Sequence, residues 1–157
     1  MRQQQTLLNP ISCTGVGLHT GKPVTLTLRP APTDTGVVFV NRNGHAGATL
    51  AASVDHLVPT ELCTAISGNG FQVKTIEHVL AALAGLSVDN VFVDIDAAEA
   101  PVMDGSSAPF VRLIQSAGVA PQNRGCRWWT DARCALARLT RQRTMALPDC
   151  HSKRSEA

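Results

Sequence analysis

The spacing of apolar residues changes near Thr75, and this change constrains the fold more than any other feature of the sequence. Before it, apolar and polar residues alternate in short segments such as residues 24–28, which is the pattern of a half-buried β-strand. After it, apolar residues recur at steps of three and four positions, which is the pattern of one helix face. These residues are Ile76, Val79, Leu80, Leu83 and Leu86. Thr75 is the expected N-cap of this helix.

Strands precede helices along most of the sequence. The other candidate strands lie within residues 5–18, 36–40, 48–57, 62–66, 71–74 and 91–95. A second helix is expected after Ser106 or Ser107, with Pro109 in its first turn and Gly118 at its end. Strands gathered before helices favour an α+β fold, in which one sheet of several strands is covered on one face by two helices.

The composition of the chain changes again near Arg124. Residues 1–124 contain seven basic and nine acidic side chains, whereas residues 125–157 contain seven basic and three acidic ones. The second segment also holds both tryptophans and three of the five cysteines. We therefore expect a folded domain over residues 1–124 and an unrelated basic tail over residues 125–157, which is either disordered or an arm for nucleic acid.

The sequence gives no sign of export or membrane insertion. No apolar run approaches the roughly 20 residues that span a bilayer. Residues 1–8 are rich in Gln and lack the apolar core of a secretory signal. Five cysteines at irregular spacings, without a CxxC pair, favour neither a disulfide framework nor a cysteine-based zinc site. We expect a cytoplasmic protein.

A carboxylate and an imidazole are adjacent at the start of the first predicted helix. Glu77 and His78 point roughly 100° apart there, so both can face one cleft without touching each other. A neutral imidazole is a good zinc ligand, and a carboxylate near a metal can take a proton from bound water. By residue type alone, such a pair is more often surface charge beside a hydrogen-bonded histidine.

Four longer strings, which follow one another in order, resemble a single family. They are residues 14–22 (TGVGLHTGK), 26–32 (LTLRPAP), 74–86 (KTIEHVLAALAGL, followed by Asp89 and Asn90) and 103–110 (MDGSSAPF). Together they resemble the N-terminal domain of bacterial UDP-3-O-acyl-N-acetylglucosamine deacetylases, over about residues 5–123. The resemblance implies a fold of two similar domains, each a sheet with two helices. The α+β layer predicted above agrees with the first of them.

The resemblance also implies an activity and a site. The family is a zinc-dependent amide hydrolase that removes acetate from an acylated UDP-glucosamine, the committed step of lipid A biosynthesis, and it acts as a cytoplasmic monomer. In this sequence Glu77 matches the general base and His78 matches a zinc ligand. His19 matches a loop near the metal cleft, and a structural role and a functional role are equally open for it. The residues that match the substrate-binding segment near the acyl passage are Leu62, Cys63 and Thr64.

The remaining parts of the family's site are not found in the sequence. The other zinc ligands, in a His-Lys-x-x-x-Asp string, belong to the family's second domain. The chain is therefore expected to be a truncated deacetylase with little or no activity alone, because one histidine does not hold a catalytic zinc. An out-of-frame translation after Arg124 is one hypothesis for the tail.

Two alternatives to the truncated enzyme stay open. One is a non-catalytic partner of a separate second-domain chain, with an exposed apolar surface that favours aggregation. The other is a binding module whose basic tail contacts nucleic acid, whereas the deacetylase interpretation expects no nucleic-acid partner.

Overall fold

The structure is a computed structural model that describes residues 2–43 and 47–126. Within these residues it contains ten β-strands and two α-helices. The strands are β1 (Gln3–Leu7), β2 (Ile11–Val16), β3 (Pro23–Pro30), β4 (Val37–Asn41), β5 (Thr49–Ala51), β6 (Leu57–Val58), β7 (Ala65–Gly68), β8 (Phe71–Lys74), β9 (Val91–Ile95) and β10 (Val119–Gly125). The helices are α1 (Glu77–Gly85) and α2 (Ala108–Ala117).

The main sheet has five strands in the order β2-β3-β9-β4-β5. Its pairs are antiparallel except β4 with β9, which run parallel. The alternation that predicted β3 is confirmed, because Leu26 pairs with Ile95 and Leu28 with Val93, and all four side chains are buried. The intervening Thr27 lies on the opposite face and is only half-buried. A polar face and an apolar face follow directly from this two-residue period.

The two helices bury their apolar faces in one core with the main sheet. Helix α1 contributes Val79, Ala82 and Leu83, and helix α2 contributes Phe110 and Ile114. These positions repeat at three- and four-residue steps, so one side of each helix faces the core. The predicted α+β fold of a sheet with two helices is confirmed. Two smaller sheets accompany it, with the strand orders β6-β7-β8 and β1-β10.

The pairing of β1 with β10 was not predicted from the sequence. Residues 119–125 show no apolar alternation, and a buried polar side chain bridges the two strands. The buried Asn90 donates to Oε1 of Gln4 at 2.8 Å and to Oε1 of Gln122 at 2.7 Å. The amide N–H of Cys126 donates to the carbonyl of Arg2, so the compact unit extends to Cys126. The predicted basic tail begins at residue 125, and its residues 127–157 lie outside the described residues.

Neither described helix is long and apolar enough to cross a membrane.

Candidate functional site

Helix α1 begins at Glu77, so the predicted pair occupies its first two positions. Both side chains are half-buried. Val79, Ala82 and Leu83 turn the apolar face of the helix into the core, which leaves its first turn at the edge of the domain. The unpaired N–H groups of this turn carry partial positive charge, which favours a carboxylate at Glu77.

A backbone hydrogen bond fixes the Glu77 carboxylate. Its Oε2 accepts from the amide N–H of Thr64 at 2.9 Å. The amide N–H of Ile76 in turn donates to the carbonyl of Thr64 at 3.3 Å. Thr64, predicted as a substrate-binding residue, thus holds the start of α1 through its main chain.

An open cleft of about 310 Å³ lies beside this segment. It is lined by His19, Thr60, Glu61, Leu62, Cys63 and Lys74. The structure therefore brings together three of the predicted site residues from two distant segments, and Thr64 joins this group to Glu77. Leu62 is 81% exposed, which is unusual for a large apolar side chain and makes it available to an apolar ligand.

The prediction that Thr75 caps helix α1 is wrong. The N-cap is Ile76, which has helical dihedral angles and makes no side-chain cap bond. Thr75 has a φ of 58°, in the left-handed region that β-branched residues rarely adopt. Its hydroxyl donates to Oε1 of Glu99 at 2.8 Å, and its oxygen accepts no N–H from the first turn of the helix. The bond to Glu99 therefore turns the Thr75 side chain away from the N–H groups that a capping oxygen would accept.

Glu99 is the polar residue near the cleft that the sequence analysis missed. Its side chain is fully buried and also accepts from the amide N–H groups of His19, at 3.0 Å, and Thr20, at 2.8 Å. Burial raises the pKa of this carboxyl, but the hydrogen bonds from His19, Thr20 and Thr75 outweigh burial and lower the pKa from 4.5 to about 2. Glu99 is therefore charged at neutral pH. A single acidic residue among small apolar neighbours (residues 97–101, AAEAP) was the one available signal.

The described residues do not fit a complete zinc centre. Over residues 2–43 and 47–126 no three His, Cys, Asp or Glu side chains come close enough together to hold a metal ion. Catalytic zinc commonly takes three protein ligands. Within this part of the chain His78 stands as a single candidate ligand.

The fold and the site define a class of protein. An α+β domain that presents a fixed carboxylate and an imidazole at a helix start, beside an open cleft, carries groups of the kind that hydrolases use for acid–base chemistry. The family model described as "LpxC: UDP-3-O-acyl N-acetylglycosamine deacetylase" matches residues 4–153. The chain belongs to this family, and the resemblance found in the sequence is confirmed.

Several curated relatives are named UDP-3-O-acyl-N-acetylglucosamine deacetylase. The protein from Chromohalobacter salexigens is 55% identical over 122 residues, which cover 78% of this chain and 40% of the relative. The protein from Xanthomonas campestris pv. campestris strain B100 is 50% identical over 128 residues, or 82% of this chain and 42% of the relative. The protein from Xanthomonas oryzae pv. oryzae strain PXO99A is 52% identical over 124 residues, which cover 79% of this chain and 41% of the relative. The chain spans about two fifths of the length of these relatives.

The family match extends beyond Arg124, and the domain boundary there stays a prediction.

Proposed function

We propose that this chain supplies the N-terminal part of the active site of a zinc-dependent deacetylase acting on UDP-3-O-acyl-N-acetylglucosamine in lipid A biosynthesis. Family membership supports the reaction class, and the names of the relatives support the substrate. The observation that carries the proposal is the Glu77 carboxylate, held at a helix start beside the cleft and next to His78. Zinc binding, a cytoplasmic location and a monomeric state are parts of the same proposal.

Glu77 acts as the general base. Its carboxylate takes a proton from water, and the resulting hydroxide adds to the acetyl carbonyl of the substrate. The C–N bond of the amide then breaks, acetate leaves, and the sugar nitrogen receives a proton to become an amine. The bond from the Thr64 amide to Oε2 holds the carboxylate in place and leaves Oε1 for the water.

The cleft supplies groups that suit the two ends of the substrate. Leu62 offers exposed apolar surface to the acyl chain, and Cys63 lies beside it. His19 and Lys74, on other segments, offer a polar and a cationic group to the nucleotide-sugar end. We assign binding of the substrate to these residues, with Thr64 acting through its main chain.

His78 is one zinc ligand in this proposal, and the other ligands come from outside the described residues. Accordingly, the purified 157-residue chain is expected to bind zinc weakly and to release no acetate by itself. Stoichiometric, tightly held zinc together with turnover by this chain would refute the half-site proposal.

A chimera tests the proposed activity. Residues 1–126 of this chain replace the matching N-terminal segment of the Chromohalobacter salexigens relative, and acetate release from UDP-3-O-acyl-N-acetylglucosamine is measured. We expect an active, zinc-containing enzyme in which Glu77→Gln lowers kcat by about 10²- to 10⁴-fold. The amide oxygen of Gln keeps the bond from Thr64, so stability should change little.

Asp96→Asn is the matched control. Oδ1 of Asp96 accepts from the amide N–H of Thr25 at 2.7 Å, so this substitution also removes a charge while keeping a backbone acceptor. We expect it to leave kcat close to that of the parent chimera. A folded, zinc-loaded chimera that is inactive, or one that keeps full activity with Glu77→Gln, contradicts the proposal.

A further inference from the structure

One buried carboxylate connects three segments of the domain near the cleft. Glu99 lies in the loop after β9 and bonds to His19 and Thr20 in the loop between β2 and β3. It also bonds to Thr75, two residues before α1. These bonds of Glu99 to His19, Thr20 and Thr75 form a junction between the segments. Main-chain bonds strengthen it, because Lys74 donates its N–H to the carbonyl of Ala98 and accepts from the N–H of Ala100.

We propose that Glu99 is a positioning residue, whose single carboxylate fixes the loop that carries His19 relative to the helix start that carries Glu77 and His78. The inference rests on the proposed function for its role in the reaction. Its structural part, the coupling of the two segments, stands independently of that function.

The surroundings of Glu99 show that its hydrogen bonds replace an ion pair. Within the described part of the chain no Lys or Arg forms a salt bridge with it. A buried charge without such a partner is costly unless several donors point at it, and here two main-chain N–H groups and one hydroxyl do so. An apolar residue here would leave these three donors without an acceptor, so the carboxylate both satisfies and orients them.

The Thr75 end of this junction sets the direction of α1. A β-branched residue at a φ of 58° is strained by about 1–3 kcal/mol, and such a conformation persists only where surrounding bonds hold it. The hydroxyl bond to Glu99 is the side-chain contact that holds Thr75. Since α1 has no side-chain cap, its first turn depends on this bond and on the bond between Thr64 and Glu77.

The His19 end of this junction sets one wall of the cleft. The carboxylate holds consecutive amides, His19 and Thr20, while the His19 side chain lines the cleft. Gly17 packs so closely that a Cβ there would lie 2.5 Å from Oε2 of Glu99. The loop therefore has little room to shift unless Glu99 also moves.

Amide hydrogen exchange in the 157-residue chain tests the coupling directly. Glu99→Gln keeps the shape of the side chain, but its NH₂ group faces donors instead of accepting from them. We expect exchange at Thr20, Thr64 and Ile76 to rise by about tenfold beyond any global change in stability, as for the loss of a buried hydrogen bond. Thr75→Val removes the hydroxyl and keeps the branched shape, so it should raise exchange at Thr64 and Ile76 while leaving Thr20 protected.

Asp94→Asn is the control for general destabilisation. Asp94 is also a buried carboxylate, but it pairs with Arg29 and Arg42 on the main sheet, away from the cleft. At equal global stability it should leave exchange at Thr20 and Ile76 unchanged. If Glu99→Gln raises exchange at these two amides no more than Asp94→Asn does, the positioning role is refuted.

Kinetics of the chimera test the role in the reaction. We expect Glu99→Gln to lower kcat by about tenfold or more, because a misplaced base slows chemistry, and to raise KM by a smaller factor through the displaced His19 side chain. An unchanged kcat, or a change in KM alone, overturns this role. Failure of the proposed function is seen separately, as full activity of the Glu77→Gln chimera, and it leaves the exchange result standing.

Discussion

Replacing Gly17 by Ala should destabilise the domain through one close contact. A Cβ at Gly17 would lie 2.5 Å from Oε2 and 3.0 Å from Cδ of Glu99, and it would also collide with Oγ1 of Thr20. Because Glu99 is held by main-chain donors, it cannot move aside without losing hydrogen bonds. Overpacking of this kind costs about 1–3 kcal/mol. With a urea dependence of about 2 kcal/mol per molar, the midpoint of unfolding should fall by about 1 M.

The same substitution at Gly85 provides the matched control. Gly85 is the last residue of α1, and a Cβ there would meet no atom within 4 Å. Ala in a helix is favoured over Gly by about 0.5–1 kcal/mol, so Gly85→Ala should leave stability unchanged or raise it. Urea titrations followed by circular dichroism would compare both variants with the parent chain. A Gly17→Ala midpoint within error of the parent would refute the tight packing described around Glu99.

Three further predictions concern charge and core packing. Folding lowers the pKa of Glu99 from 4.5 to about 2, so the stabilisation by its carboxylate is present above about pH 4.5 and lost as the pH falls toward 2. Between pH 5 and pH 2 the free energy of unfolding should therefore drop by about 3 kcal/mol more in the parent than in Glu99→Gln. Phe110→Ala should lower the free energy of unfolding by about 3–5 kcal/mol because Phe110 is fully buried, whereas Leu62→Ala at an exposed position should stay within about 0.5 kcal/mol; equal effects would contradict the assigned core. Asp94→Asn should cost about 1–3 kcal/mol, since it weakens bonds to two arginines, and a neutral result in thermal unfolding would show that this cluster contributes nothing.

Elements with a clear period were predictable from the sequence. The strand β9 lies at the predicted residues 91–95, and β3 extends the predicted residues 24–28 by one or two positions at each end. Helix α2 ends before Gly118, which has a φ of 75°, as the glycine suggested. In these elements burial of one face decides the structure, and burial leaves a period that can be read locally.

Elements that depend on a distant partner were not predictable in the same way. Strand β10 contains Pro121 and three consecutive polar residues, and it exists as a strand because β1 pairs with it. The predicted cap at Thr75 followed the usual preference of threonine for that position, but the preference counts only nearby groups. Glu99 is 24 residues further along the chain, and nothing near Thr75 indicates it.

The candidate site shows the same difference between features that a local stretch of sequence indicates and features that depend on distant residues. Glu77 and His78 stand in one of the strings that resemble the family, and Leu62, Cys63 and Thr64 match a separate short segment of it. The proposed roles of all five residues come from that resemblance. What holds them is non-local: the Thr64 amide reaches Glu77 across 13 positions, and Glu99 reaches His19 across 80. A sequence string can therefore name the groups that perform chemistry, whereas the positions of those groups depend on hydrogen bonds between segments that only the fold brings together. For that reason we expect substitutions at Glu99 to affect the rate of the reaction although its side chain lies buried behind the cleft.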